Sequence, residues 1–379
     1  MSFPRWVATA ARGLEEVVAA ELQALGATPE LPEPGGVPFE ADLAGAVRAC
    51  WRLRSANRVL AELATFPAPD GDALYREVER RVTTTSSDPF SLAALLPPER
   101  TFAISATTTR SALTDTRWIA LRAKDGIVDA QRARWGRRSD VARVRPDVAL
   151  RLRLQDDRAT LLLDLAGDPL DRRGYRVEST AAPLREQLAA AALLASGWEG
   201  RGPVVDPMCG SGTFLAEAGA IALGLPPNRL RERWAFESLP PFHGLLERVR
   251  AEAIAAPDPE VRLFGVDLDP EAIAAADRNL TAAGLAAHAT LARGDAFEFE
   301  PPEGPGLVAI NPPHGERLTS APADWRRLGD LLKRRYRGWK AVVVAGDKNL
   351  GRELGLRPSR RLPVRNGPLD ARLLLLDLW

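Results

Sequence analysis

With 379 residues, the chain exceeds the size at which one hydrophobic core keeps growing, and its 45% hydrophobic content is enough to build two or three cores. Two cysteines, Cys50 and Cys209, exclude a disulfide framework, and three histidines, His243, His288 and His314, lack metal-ligand spacing, so no metal is expected. No segment reaches the ~20 apolar residues of a membrane span, and Met1 to Ala20 carries Arg5, Arg12, Glu15 and Glu16 without an apolar run, so a cytoplasmic monomer with no membrane partner is expected.

In chain order, Trp6 to Ala10 reads as a short strand, Gly13 to Leu25 as a helix closed by Gly26, and Gly35 to Phe39 as the start of another strand, a small α+β unit over residues 1–66. Phe66 to Pro69 reads as a seam. A second unit over 67–167 follows: Leu74 to Val82 as helix, Thr101 to Thr107 as an alternating strand, Ala120 to Trp135 as a basic helix, and Val148 to Gln155 with Arg158 to Ala166 as a hairpin. The formal net charge of +1 conceals a local excess here, because Arg100 to Arg158 holds fourteen Lys or Arg against seven Asp. Arg132, Arg134, Arg137 and Arg138, interleaved with Trp135, are the candidate contacts to nucleic-acid phosphates, and a merely solvated helix face is the competing reading.

Residues 168–182 read as a polar linker, and Pro183 as the first turn of a helix that runs to Ala195 and stops at Gly197. From there strands and helices alternate, as in a parallel sheet covered on both faces. The last two strands, Arg361 to Arg365 and Leu369 to Trp379, pair through an Asn366-Gly367 turn. An α/β catalytic unit over 183–379 is expected.

The chemistry sits at strand ends within that unit. Val204 to Asp206 leads into Pro207-Met208-Cys209-Gly210-Ser211-Gly212 and then a helical run, so the glycines bring the backbone close to a ligand at a helix N-terminus. A P-loop needs Lys after its last glycine, where Thr213 stands, and a dinucleotide fold needs a small residue where Leu215 stands. The pattern instead suits S-adenosylmethionine, with Asp206, Pro207, Cys209, Gly210 and Gly212 around it and Asp206 toward its ammonium group. Cys209 is expected to fill space rather than react. Asp267, closing the strand from Val261, is the candidate ribose ligand, and Asp295 a candidate acceptor for the adenine amine, although lone Asp residues at strand ends often only cap helices. Pro226 to Pro259, with Trp234, Phe236 and Phe242, is an insertion expected to form a flap.

Val308 to Ile310 runs straight into Asn311-Pro312-Pro313-His314. An aromatic amine is a weak nucleophile because its lone pair is delocalised, so methyl transfer to it requires fixed acceptors for its protons and an in-line approach. The Asn311 side-chain oxygen and the Pro312 carbonyl supply those acceptors, Pro313 stiffens the turn, and His314 is placed to stack on the base. Asn311 also adjoins the cofactor site. Taken alone the tetrapeptide also reads as ordinary punctuation after a strand. A second basic stretch from Arg326 to Lys340 follows it.

Beyond these motifs the chain resembles, nearly end to end, the THUMP-domain RNA guanine-N2 methyltransferases of bacteria. The resemblance is carried by Thr9 to Glu16, Val37 to Glu40, Arg117 to Asp129, Arg145 to Asp147, Arg173-Gly174-Tyr175-Arg176, Ala182 to Glu186, Asp206 to Thr213, Asn311 to Leu318 and Asn366 to Leu369. It implies a ferredoxin-like N-terminal domain, a THUMP domain binding structured RNA, and a class I Rossmann-like domain that methylates the N2 of a guanine. Arg317, in Gly315-Glu316-Arg317, joins the expected RNA contacts. His314 departs from the family's Tyr. Large-subunit ribosomal RNA is the favoured substrate and tRNA the alternative; adenine-N6 methylation and a non-catalytic RNA assembly protein stay open.

Overall fold

The computed structural model describes residues 3–180, 183–252, 260–312, 322–346, 349–366 and 369–379. Two seven-stranded sheets organise it. The first contains β1 (Trp6–Ala10), β2 (Thr28–Pro29), β3 (Gly36–Glu40), β4 (Ala56–Pro67), β5 (Phe102–Thr109), β6 (Val148–Gln155) and β7 (Arg158–Asp164), in the order β2-β3-β1-β4-β7-β6-β5. β4 is the hinge of this sheet, antiparallel to β1 along one edge and to β7 along the other, so one sheet runs through both N-terminal units. The sequence reading assigns no strand there. Its register slips between Glu62 and Ala64, and the interrupted alternation conceals the strand from a period-2 pattern. The β6–β7 hairpin is as expected, turning through Asp156 and Asp157, both at positive φ, the left-handed pair that a two-residue hairpin demands.

The second sheet contains β8 (Pro203–Asp206), β9 (Arg262–Asp267), β10 (Ala289–Arg293), β11 (Leu307–Ile310), β12 (Lys340–Ala345), β13 (Arg360–Asn366) and β14 (Leu369–Asp377), in the order β10-β9-β8-β11-β12-β14-β13. β8 to β12 are parallel, and β14 enters antiparallel between β12 and β13. This is the expected class I Rossmann-like arrangement. The four residues of β8 and of β11 are all buried, as strands covered on both faces must be. Strand order reverses between β8 and β11, which opens a crevice at their carboxyl ends.

Each sheet's core borrows from the other half of the chain. Leu14 and Val17, from the N-terminal helix region, pack in the core of the second sheet, and a side chain on Gly13 would collide with the Pro363 carbonyl of β13. In return Trp234, Phe236 and Phe242 are buried in the core of the first sheet, Phe242 against Trp6 and Phe90 and Trp234 against Trp51. Trp6 and Phe90 meet edge-to-face at 6.0 Å, as do Phe90 and Phe242 at 6.0 Å. The expected flap is therefore corrected for the described part of the insertion. Burying a Phe-sized side chain is worth roughly 1.5–3 kcal/mol, which draws these aromatics inward and makes the insertion a strut between halves.

A second correction concerns Pro183. The helix begins at Glu186, with Arg185 extended at its N-cap, so Pro183 precedes the first turn. The segment read as a polar linker is also packed, with Arg173 at 1% and Tyr175 at 4% exposure. No helix among the described residues is long and apolar enough to cross a membrane.

Candidate active site

The glycine turn after β8 is built by two left-handed residues. Gly210 has φ +52° and Gly212 φ +78°, and Gly212 caps the helix Thr213–Ala222, where an added Cβ would sit 3.2 Å from the Ala276 Cβ. The Gly210 N–H donates to Asp267 Oδ2 at 2.9 Å, and the Asp269 N–H donates to Oδ1 at 3.0 Å, so the turn and the end of β9 orient one another. Asp206 is 2% exposed and accepts the Met208 N–H at 3.2 Å. Burial pushes its carboxyl well above the usual carboxylate range, and the Asp267 charge adds to the shift. The Cys209 thiol is likewise pushed up by burial, consistent with a space-filling role.

Asp295 lies just past β10 and accepts the Phe297 N–H at 2.9 Å. The Arg327 guanidinium stands 3.7 Å from the centroid of the Phe297 ring and 4.0 Å from Asp295 Oδ2. Asn311 follows β11 directly, and its Oδ1 is buried without a hydrogen-bond partner among the described residues. A buried acceptor left unpaired costs about 1–3 kcal/mol, so an acceptor standing open at a strand end needs an explanation, and a ligand N–H supplies one.

These groups converge on one cavity of about 450 Å³ at the crevice between β8 and β11. Asp206, Pro207, Cys209 and Gly210 line it from one strand end, and Asp267, Asp295, Asn311 and Pro312 from the next three. Gly212 does not line it and serves the turn instead. Pro313, His314 and Arg317 lie outside the described residues. The electrostatics are one-sided: Asp206, Asp267, Asp269, Asp295 and Asp324 line the cavity against a single described cation, Arg327. Such a set favours a cationic ligand bearing hydroxyl and amine donors. No group of three or more His, Cys, Asp or Glu among the described residues is arranged to hold a metal ion.

Sequence reasoning missed one wall entirely. Thr180, Pro183 and Leu184 line the cavity from the segment read as linker and helix start. Arg327, from the helix Pro322–Arg335, was visible only as part of a basic stretch, and Asp324 of the same helix was not singled out at all.

The basic helix Thr116–Trp135 presents its arginines unequally. Arg132, 57% exposed, pairs with Asp129 at 3.4 Å, and Arg137 is held by Glu99. Arg134 donates to the Val82 and Thr83 carbonyls at 3.0 Å each, closing the end of the helix Gly71–Thr83, and its guanidinium covers Trp135. Arg138 is exposed and has no partner among the described residues.

Comparison with known proteins follows the same division. Residues 173–374 match an RMKL-like methyltransferase domain family, residues 5–60 the RlmL ferredoxin-like domain, and residues 90–164 the THUMP domain. The chain is 39% identical, over 98% of its length, to the ribosomal RNA large subunit methyltransferase K/L of Methylococcus capsulatus, and it covers 51% of that protein. It thus spans about half the length of such curated relatives. A putative RNA methyltransferase of Synechocystis sp. is 37% identical over 99% of this chain and 97% of its own length. Among solved structures, a putative methyltransferase complexed with SAH superposes with a TM-score of 0.86 at 28% identity, covering 100% of this chain and 99% of the other.

Proposed function

Because the chain belongs to the RMKL-like methyltransferase family, we propose that it transfers a methyl group from S-adenosylmethionine to the exocyclic N2 of a guanine in structured RNA, with large-subunit ribosomal RNA as the substrate. The observation that carries the reading is the buried Asn311 Oδ1 at the end of β11, without a partner among the described residues, in a cavity whose described charged lining is mostly carboxylate. The donor set fits the cofactor: Asp206 suits an ammonium group, Asp267 the ribose hydroxyls, Asp295 the adenine amine, and the excess of carboxylates a sulfonium charge. S-adenosylmethionine, when bound, supplies an electrophilic methyl group. The SAH complex of the superposable methyltransferase and the names of the ribosomal relatives support the cofactor and the substrate class respectively.

In this reading Asn311 Oδ1 accepts one N–H of the target amine and the Pro312 carbonyl accepts the other. Together they turn the nitrogen lone pair toward the methyl group and stabilise the positive charge that develops on it. The guanine must be unpaired or flipped, because N2 is not accessible to a buried reacting carbon while the base remains stacked in a helix. Arg138, with the exposed faces of Arg132 and Arg137, supplies cations for RNA phosphates.

The test is transfer of labelled methyl from S-adenosylmethionine into separated ribosomal RNA, tRNA and DNA from an unmodified host, followed by nucleoside identification. N2-methylguanosine in ribosomal RNA is expected. Label in tRNA would move the substrate, methyladenine would overturn the target atom, and no incorporation with cofactor binding intact would favour a non-catalytic RNA-binding role.

A further inference from the structure

The wall that the sequence conceals is clamped to the glycine turn by two side chains with no place in the chemistry above. Arg176 is 15% exposed at its side chain and spends its guanidinium on four acceptors. Its Nε donates to Glu186 Oε1 at 2.6 Å, one terminal nitrogen to Ser211 Oγ at 3.0 Å, and the other to the Leu184 carbonyl at 2.9 Å and Thr213 Oγ1 at 3.0 Å. Asn279, fully buried in the helix Pro270–Ala282, answers from the opposite side. Its Oδ1 accepts the Val177 and Glu178 N–H groups at 2.9 and 3.0 Å, and its Nδ2 donates to the Glu178 and Ser211 carbonyls at 2.9 Å each.

Ser211 is therefore gripped at its hydroxyl by Arg176 and at its carbonyl by Asn279, between the two glycines whose backbone is intrinsically the least restrained in the turn. The same two side chains hold residues 177, 178 and 184, which bracket Thr180 and Pro183 on the facing wall. A Cβ on Gly210 would lie 3.7 Å from Thr180 Oγ1, so the walls meet at the turn.

We propose that Arg176 and Asn279 are positioning residues for the cofactor, fixing the gap between the glycine turn and the wall made by Thr180, Pro183 and Leu184. This rests on the reading of the cavity as an S-adenosylmethionine site. Neither residue lines the cavity, and Asn311 follows β11, which neither of them contacts through a side-chain hydrogen bond, so loosening the clamp weakens cofactor affinity while leaving the transfer step intact once the site is filled.

The decisive variant is Arg176→Lys, which keeps a cation for Glu186 but cannot fork to the two hydroxyls. Calorimetry with S-adenosylhomocysteine and steady-state methylation of RNA are measured together on the full chain. The expected result is a rise of about tenfold in Kd and in KM for S-adenosylmethionine, the scale of one lost charge-assisted hydrogen bond, with kcat within about twofold and KM for RNA unchanged. Arg176→Ala, which also strands Glu186, is expected to weaken binding further. Wild-type Kd in Arg176→Lys overturns the proposal. So does a fall in kcat with KM unchanged, or loss of cooperative unfolding in the Lys variant, which would make Arg176 a folding residue. Wild-type protein that binds no S-adenosylhomocysteine overturns the functional reading itself, and this proposal with it.

Discussion

The junction between the two halves and the cavity at the end of the second sheet are both polar and both largely buried, but they use charge in opposite ways. At the junction, cations are matched to oxygen atoms of the chain itself. Arg231 donates to the carbonyls of Pro169, Ala166 and Asp168 at 3.0, 3.1 and 2.7 Å, and Arg54 to those of Ala220 and Leu225 at 3.1 and 2.6 Å. Burial lowers the Arg54 pKa to about 10, still charged at neutral pH. Arg173 and Glu217 form an ion pair at 1% and 2% exposure, and the Tyr175 hydroxyl donates to the same carboxylate at 3.0 Å. In the cavity, the described carboxylates gather with one described cation, Arg327, and the Asn311 acceptor has no partner among the described residues. Matched polar groups hold two units in register, whereas mismatched ones store a preference for a ligand that completes them. The division is not absolute, since Arg54 Nη1 and Glu217 Oε2 also lack partners among the described residues.

The contrast breaks most visibly at Arg173. Removing one partner of a buried pair costs about 3–5 kcal/mol, because the other charge is stranded. Arg173→Met should therefore lower stability by about that amount in urea unfolding, with the activity per folded molecule retained. A loss below about 1 kcal/mol would mean that the junction tolerates an unpaired Glu217, and the contrast would lose its structural half.

At Asn311 the expectation inverts. Asn311→Ala removes an unsatisfied acceptor, so stability should hold or rise slightly, while the rate of methyl transfer at saturating cofactor falls on the order of 10²–10³-fold, the scale of losing a preorganised charge-stabilising group. Single-turnover transfer to RNA measures this. A rate within about threefold of wild type would assign the chemistry elsewhere.

How much of this was legible in the residues divides along the same line. The strand-end positions of Asp206, Asp267, Asp295 and Asn311 were readable because each closes or closely follows an apolar run, and a parallel sheet brings such ends to one edge. The clamp was not, since Arg176 and Asn279 are polar residues whose partners lie up to 102 positions away, with no local periodicity to announce them. Trp234, Phe236 and Phe242 were seen as an aromatic group but assigned to a flap, because nothing local reveals that Phe242 meets Trp6 and Phe90 and that Trp234 meets Trp51. β4 was lost to its own irregular register.

Asp206 sharpens the comparison through pH. Its carboxyl is held above the usual range by burial, so its contribution to the free protein's stability is lost as pH rises from the unfolded carboxylate value through the folded one. A cationic ligand favours the ionised form, so cofactor affinity should rise with pH through that same window and level off above it. Asp206→Asn should abolish the pH dependence, weaken cofactor binding about tenfold, and raise the free protein's stability by roughly 1 kcal/mol at neutral pH. Calorimetric titrations across pH decide it. A pH-independent wild type would show that Asp206 does not change its ionisation when the cofactor binds, and a pH dependence that survives in Asp206→Asn would show that another group carries the linkage.

The smallest effect is expected at the end of the basic helix and the turn after it, where both uses of charge occur within five residues. Arg134 resembles the junction, committed to the Val82 and Thr83 carbonyls, while Arg138 resembles the cavity, exposed and without a partner among the described residues. If free cations contact RNA, Arg138→Ala should weaken RNA binding a few-fold, uniformly across sequences, and reduce the slope of log affinity against log salt by about one. Arg134→Ala should leave that slope nearly unchanged and instead lower the unfolding midpoint, by removing the closure of the Gly71–Thr83 helix. Salt-titrated binding of both variants to a structured RNA fragment separates the two. Equal slopes in Arg138→Ala and wild type would place the RNA footprint on another face, and a reduced slope in Arg134→Ala would show that its exposed side meets phosphate while its nitrogen holds the helix.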